Sequence, residues 1–152
     1  MKTLANPADK QNALTRLAKV QPNSRALWGR MSAQQMLCHL SDSFLAVMGQ
    51  KYVSPATGLL QRSVVKWVAL YSPIPWPKGV PTRPEMDQLV GGTAPSDFES
   101  DRKLLIELIE RFTNSKRDFD WSPHPIFGKM PDPEWLRWGY LHTDHHLRQF
   151  GL

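Results

Sequence analysis

At 152 residues, 41% apolar and 22% charged, the chain has the balance of one soluble globular domain over residues 1–152, enough to bury roughly 70% of its unfolded surface. The net charge of +5 is spread, with no run of Lys and Arg longer than two, which argues against a nucleic-acid interface. The single cysteine, Cys38, excludes an intrachain disulfide framework and any multi-cysteine zinc site.

Met1 to Pro7 carries one positive charge with no apolar run behind it, so no secretory signal is expected and the cytoplasm is the default compartment. Asn6-Pro7 with Asp9 predicts a helix start, and Ala13, Leu14, Leu17 and Ala18 give that helix a modest apolar face to about Val20. A loop through Pro22-Asn23 leads to Leu27-Trp28-Gly29. The next helix has the strongest local signature. Ser32 and Gln35 form a capping box, Met31 stands to staple against Met36, and Gly49 offers a stop. Between them Met36, His39, Leu40, Ser43 and Val47 fall on one face, which puts His39 on an inward-looking stripe.

A third helix is predicted over about Gly58–Tyr71, with Leu59, Leu60, Val64, Trp67, Val68 and Tyr71 as its apolar positions. Its most apolar part is short and holds Lys66, so no membrane span is expected. Ser72–Pro95 then carries six prolines and three glycines, and regular structure is not expected there. So long a connection is either a crossover running the length of a bundle between parallel third and fourth helices, or a linker between two domains. Ser96 and Glu99 predict a second capping box, with Phe98, Leu105, Leu108, Ile109 and Phe112 as the stripe of a helix ending near Asn114. Asp118–Pro131 is a second loop containing Trp121, His124-Pro125 and Phe127-Gly128. Asp132 as cap, Pro133 at the first position and Glu134 in the first turn predict the last helix, which Gly151 stops. No useful β-alternation occurs. The expected fold is all-α, four main helices plus a short amino-terminal one, packed as a bundle.

Three of the five histidines crowd the last helix. On a helix His142 and His146 stand roughly 40° and about 6 Å apart, close enough to converge on one ion, while His145 points to the other flank. His39 is the third nitrogen. Neutral imidazole suits Zn, Ni, Fe and Cu, and three ligands leave a coordination position open for a water or thiol. The competing reading is a hydrogen-bonded core histidine, weakened by the need of two buried histidines on one face for partners. Thr143 stands where H-E-x-x-H needs its Glu, and His145 breaks H-x-x-E-H, so peptide hydrolysis by those routes is not expected.

Other residues carry weaker claims. His124 is either a proton carrier over the site or a solvent-facing turn residue. Asp42, one turn after His39, can reach the ion or orient an imidazole. His145 and Asp144 can supply hydrogen bonds behind the ligands, or simply face solvent, and Arg148 and Gln149 can tie helix ends or hold an anion. Cys38 reads as a packed side chain. Trp28, Trp67, Trp135 and Trp138 read as core, with Trp76 and Trp121 lining an entrance.

Trp28-Gly29-x-Met31-Ser32-x-x-Gln35-Met36-Leu37-x-His39-Leu40, His124-Pro125-x-Phe127-Gly128 and His142-x-x-His145-His146-Leu147-Arg148-Gln149-Phe150, in that order, resemble the DinB-like superfamily and within it a domain-of-unknown-function branch. The resemblance runs from about Trp28 to the end. It implies a four-helix bundle in up-down-down-up order, with the long proline-rich crossover between helices 3 and 4. It implies ligands at His39, His142 and His146, a divalent metal (Zn or Ni first, Fe or Mn after) and a homodimer. Relatives of this kind include transferases and isomerases that use low-molecular-weight thiols. The ending departs from the commoner His-His-Arg-Gly-Gln: Leu147 follows the paired histidines, Arg148 is displaced by one, and no Gly precedes Gln149, which leaves the reaction open. The leading expectation is a metal-dependent thiol transferase or hydrolase acting on a small molecule, with no nucleic-acid or membrane partner. The alternative is a non-catalytic metal- or ligand-binding dimerisation module.

Overall fold

Asn6 opens the first helix by accepting the N–H groups of Ala8 and Asp9 on Oδ1 at 2.9 and 3.3 Å, and Pro7 fits the first turn because it lacks the donor that turn would orphan. This α1, Pro7–Leu17, is followed by α2, Ala33–Val47, whose Ser32–Gln35 capping box closes reciprocally at 3.1 and 2.8 Å. A π-helical turn, Gln61–Val65, leads into α3, Lys66–Tyr71. After the crossover come α4, Phe98–Phe112, and α5, Asp132–Gln149. The computed structural model describes all of residues 1–152 and is all-α, without strands. No helix is long and apolar enough to cross a membrane.

Two helix starts differ from expectation by one residue. Asp97, not Ser96, caps α4, accepting the Ser100 N–H at 2.9 Å, while Ser96 binds Asp101. Both residues are good caps, and the carboxylate gains the charge-assisted bond at the positive helix end. At α5 the cap position belongs to Pro131; the Asp132 carboxylate is instead taken by the Trp121 indole N–H at 2.7 Å and by Arg117.

A core of 24 buried apolar residues gathers mainly from α1, α2, α4 and α5, joined by Leu70 of α3 and by loop residues such as Leu4 and Phe127. Its centre is aromatic: Phe44 meets Phe112 edge-on at 4.8 Å, and Trp135 meets Trp138 perpendicularly at 5.7 Å. α2 packs chiefly on α4 and α1 on α5, while α2 and α3 also touch α5. Gly139 lets α5 approach that centre, since a Cβ there would stand 2.8 Å from the Phe112 ring and 2.9 Å from Leu4.

The third helix corrects the sequence reading most. Only Leu70 of α3 is buried; Leu59, Leu60, Val64, Trp67, Val68 and Tyr71 are all exposed, Trp67 by 61%. Trp67 is therefore not a core tryptophan. Val64, Val65, Val68 and Ala69 instead form one wall of an open cavity, so part of this helix's apolar surface faces a hollow and not a packed layer.

The crossover is irregular, as its prolines demand, apart from a short 3₁₀ turn, Pro84–Met86. Asp42 on α2 holds it. This fully buried carboxylate accepts Thr93 N–H at 2.8 Å, Thr93 Oγ1 at 2.6 Å and Gln88 Nε2 at 3.1 Å, and pairs with Lys51 at 3.0 Å. The expectation that Asp42 orients an imidazole is thus corrected. Its lone pairs are consumed by the loop, which reaches it because α2 leaves that side open.

Candidate metal centre

The inward stripe of α2 carries His39 to the point where α5 presents His142 and His146 from successive turns. Their ring nitrogens lie within 4.8 Å of one another. The ring centroids are 5.2 Å apart for His39–His142, 4.7 Å for His39–His146 and 5.0 Å for His142–His146. His39 and His146 are buried, and His142 is half-buried on the cavity.

Second hydrogen bonds settle which nitrogen two of the three rings offer. His39 Nδ1–H donates to the Met86 carbonyl at 2.9 Å, and His146 Nδ1–H to Gln149 Oε1 at 2.8 Å. The Gln149 amide is itself held by donating to the Trp28 carbonyl at 2.8 Å. Both rings therefore turn an Nε2 lone pair toward the shared point, the arrangement that fixes tautomers in metal-ligating histidines. His142 has no such support: its Nδ1 is buried without a partner, and its Nε2 lies 3.2 Å from His39 Nε2. One proton can bridge that contact. An ion between two lone pairs explains it equally, since nitrogens about 2.05 Å from a tetrahedral zinc lie about 3.3 Å apart.

Burial pushes all three imidazoles below the ordinary histidine range, well below it for His142 and His146, where the charge of the neighbouring histidines adds to the effect. They are neutral at pH 7, as ligation requires. Neutral nitrogen donors, two of them oriented by backbone or amide acceptors, fit a divalent transition metal.

The remaining candidates divide. Gln149 belongs to the centre, through His146. Asp144 does not: it pairs with Arg16 at 2.6 Å and Arg148 at 2.8 Å, tying α1 to α5, so neither Asp144 nor Arg148 faces the cavity. His145 flanks His146 with ring centroids 5.2 Å apart and packs between Trp28 and Trp76, without joining the three. Cys38 is buried, its thiol pushed up to about 12 by burial and by Asp101, so it is inert and not a ligand. Trp76 lines the cavity 5.8 Å from His142, whereas Trp121 stacks on Trp135 at 5.2 Å against the core and lines no entrance. Trp28 also lines the cavity. The carbonyls of Met86 and Trp28 carried no signal in the sequence, because any residue supplies a carbonyl and only the path of the chain aims it.

Among the site candidates His124 departs most from expectation. It is buried, not solvent-facing, and it is no proton carrier. Burial holds its pKa at about 3. The unfolded chain takes up a proton at this residue below about pH 6.5 that the folded chain refuses, so folding stability falls as pH drops from 6.5 toward 3. At pH 5 this residue alone should remove about 2 kcal/mol. Urea unfolding of the metal-free wild type and of His124→Asn at pH 7.5, 6 and 5 isolates it; a wild type no more sensitive to pH than the variant would contradict the burial.

Above the centre opens a cavity of about 930 Å³ between α3, α5 and the crossover. Trp28, Val68, Trp76, Met86, Phe127 and Trp138 are among its walls, and Arg30, Arg83 and Asp87 are its only charged residues. Residues 3–151 match the model of a family described as "Protein of unknown function (DUF1569)". No curated protein and no solved structure matches the chain.

Proposed function

The chain belongs to the DUF1569 family, and on that premise we propose that it is a divalent-metal enzyme whose ion is held by His39, His142 and His146. The carrying observation is the convergence of three neutral imidazoles, two with their Nδ1–H groups already committed, at the floor of a cavity large enough for a small-molecule substrate. A metal bound there supplies a nucleophile at neutral pH by lowering the pKa of a coordinated water or thiol. The chain supplies the rest. Met86 and Gln149 fix two of the rings, Trp76 and Trp138 shield the point of attack from bulk water, and the apolar walls hold an electrophilic small molecule against it. Zinc or nickel suits this donor set first, iron or manganese after. A thiol S-transferase or a hydrolase is the reaction class we favour.

The same reading places the family in the DinB-like superfamily, with α2 to α5 as an up-down-down-up bundle and the crossover as its long connection. The spacing of the three histidines, the all-α fold and the proline-rich stretch support it. A second copy would cover the outward apolar surface of Leu60 and Trp67. Trp67→Glu should then convert a dimer to a monomer in sedimentation velocity; an unchanged sedimentation coefficient rejects this face.

One observation favours the non-catalytic alternative: the His39–His142 contact can close as a plain hydrogen bond. Elemental analysis of the purified protein, followed by a screen of low-molecular-weight thiols against alkylating and epoxide electrophiles and of water against esters, separates the two. One ion per chain with turnover supports the enzyme. One ion without turnover leaves a binding module, and no ion removes the metal reading.

A further inference from the structure

His124 sits in a tight reversal of the chain. Its backbone N–H and carbonyl both pair with Gly128, at 2.8 and 2.9 Å, across a turn that Gly128 closes with φ near +72°. The neighbouring Pro125 carbonyl accepts the Ala56 N–H at 2.7 Å. Within this reversal the ring itself is clamped. Phe127 stacks on it at 4.5 Å with planes 11° apart, and Trp138 meets it edge-on at 5.3 Å.

The hydrogen bonds assign its proton. Nδ1 accepts two backbone donors, the N–H groups of Ile126 and Phe127, both at 3.1 Å. A nitrogen facing two N–H groups carries its lone pair there, so the hydrogen is on Nε2. Protonating Nδ1 would break both bonds in a buried ring that no carboxylate touches. The ring is therefore locked as a neutral donor. Its Nε2–H has no partner within the protein, although the residue is only 8% exposed. It lines the same cavity as His142, and the Trp138 indole neighbours both rings, 5.2 Å from His142 and 5.3 Å from His124.

We propose that His124 is a binding residue of this cavity: its Nε2–H donates to an acceptor atom of a substrate whose body is apolar and whose polar head lies over the three-histidine centre. The inference rests on the metal reading above. The body is assigned from the walls, where Val64, Val68, Trp76, Ile126, Phe127 and Trp138 leave few charges to meet a polar chain. The head is assigned from the unused donor, because an N–H without a protein acceptor on the wall of a largely apolar cavity is the polar point to which a ligand oxygen can bond. A donor held in place by the two turn amides and the Phe127 stack needs little reorganisation when charge grows on that oxygen.

The test uses the full chain loaded with zinc and benzohydroxamate as probe, with acetohydroxamate as the same head lacking an apolar body. Long-range proton–nitrogen NMR of histidine-labelled wild type should show His124 protonated on Nε2 alone, with that resonance moving when benzohydroxamate binds. Benzohydroxamate should bind more tightly than acetohydroxamate. His124→Asn keeps an oxygen where Nδ1 accepts the two turn amides but has nothing at the Nε2 position. It should bind benzohydroxamate about fivefold more weakly at unchanged zinc content. A proton on Nδ1, a resonance unmoved by the probe, or equal affinity in the zinc-loaded variant overturns the inference and leaves the metal centre standing. Failure of the wild type to take up zinc overturns both, and shows as zinc content before any probe is added. Should the variant misfold, the wild-type tautomer and its response to the probe still decide.

Discussion

His146→Ala should leave the protein unable to retain its ion, and His39→Ala should do the same. Each removes one of three nitrogens, and the two survivors cannot hold a divalent metal through dialysis. We expect metal affinity to fall by at least about 100-fold, since loss of a group that merely orients a ligand already costs roughly 10- to 100-fold. Gln149→Ala, which frees the His146 ring without removing a ligand, should fall in that smaller range. A hundredfold excess of ion over its dissociation constant stabilises the fold by about 2.7 kcal/mol, so a chelator should lower the melting temperature of the wild type. It should leave both alanine variants unmoved. Elemental analysis and a chelator-dependent melting curve read the two effects separately. Full metal content in either variant would remove that histidine from the centre.

Asp42→Ala should be the most destabilising polar substitution in the chain, although Asp42 touches neither the histidines nor the cavity floor. Its carboxylate is fully buried and ties Thr93, Gln88 and Lys51 to α2. Removing it breaks at once the bonds that Thr93, Gln88 and Lys51 make to one charged group, for a loss of about 3 kcal/mol. In a chain of this size that is a drop of about 10 °C in melting temperature. A second consequence is functional. Gln88 lies two residues from Met86, whose carbonyl orients His39, so loosening the crossover loosens that ring. Metal affinity should weaken about tenfold in the variant, by the same logic as any lost orienting group. Asp42→Asn, which keeps an acceptor for the Thr93 amide, should fall between. A melting temperature within about 2 °C of wild type would show that the crossover is anchored elsewhere.

Both halves of the candidate centre could be read in advance. His142 and His146 share a face because four residues are about one helical turn, and that holds wherever the helix lies. His39 was legible for a related reason: the Ser32–Gln35 box fixes where α2 begins, and the apolar stripe then fixes which way residue 39 points. α3 shows the limit of the same logic. Its apolar positions were correctly placed on a helix, but periodicity records only that a side is apolar. It does not say whether a packed layer, a cavity or solvent lies opposite, and here Val64 and Val68 face a hollow while Trp67 faces out. His124 failed for a different reason. A histidine before a proline in a loop resembles any surface turn until the chain folds back and buries it against Trp138.

By itself, then, the order of residues determined what depends on neighbours within a turn or two: the helices, the Ser32 cap, the irregular crossover, and the three imidazoles facing inward. The tertiary structure alone decided what those groups meet. Met86 comes from 47 residues beyond His39 to set its tautomer. Asp42 turned from an expected imidazole partner into the anchor of a loop, and an apolar cavity opened where a packed helix face was expected. Local geometry follows from backbone stereochemistry, which every short segment carries within it. Partners distant in sequence are chosen by which surfaces the whole chain can bury together, and no single segment carries that information.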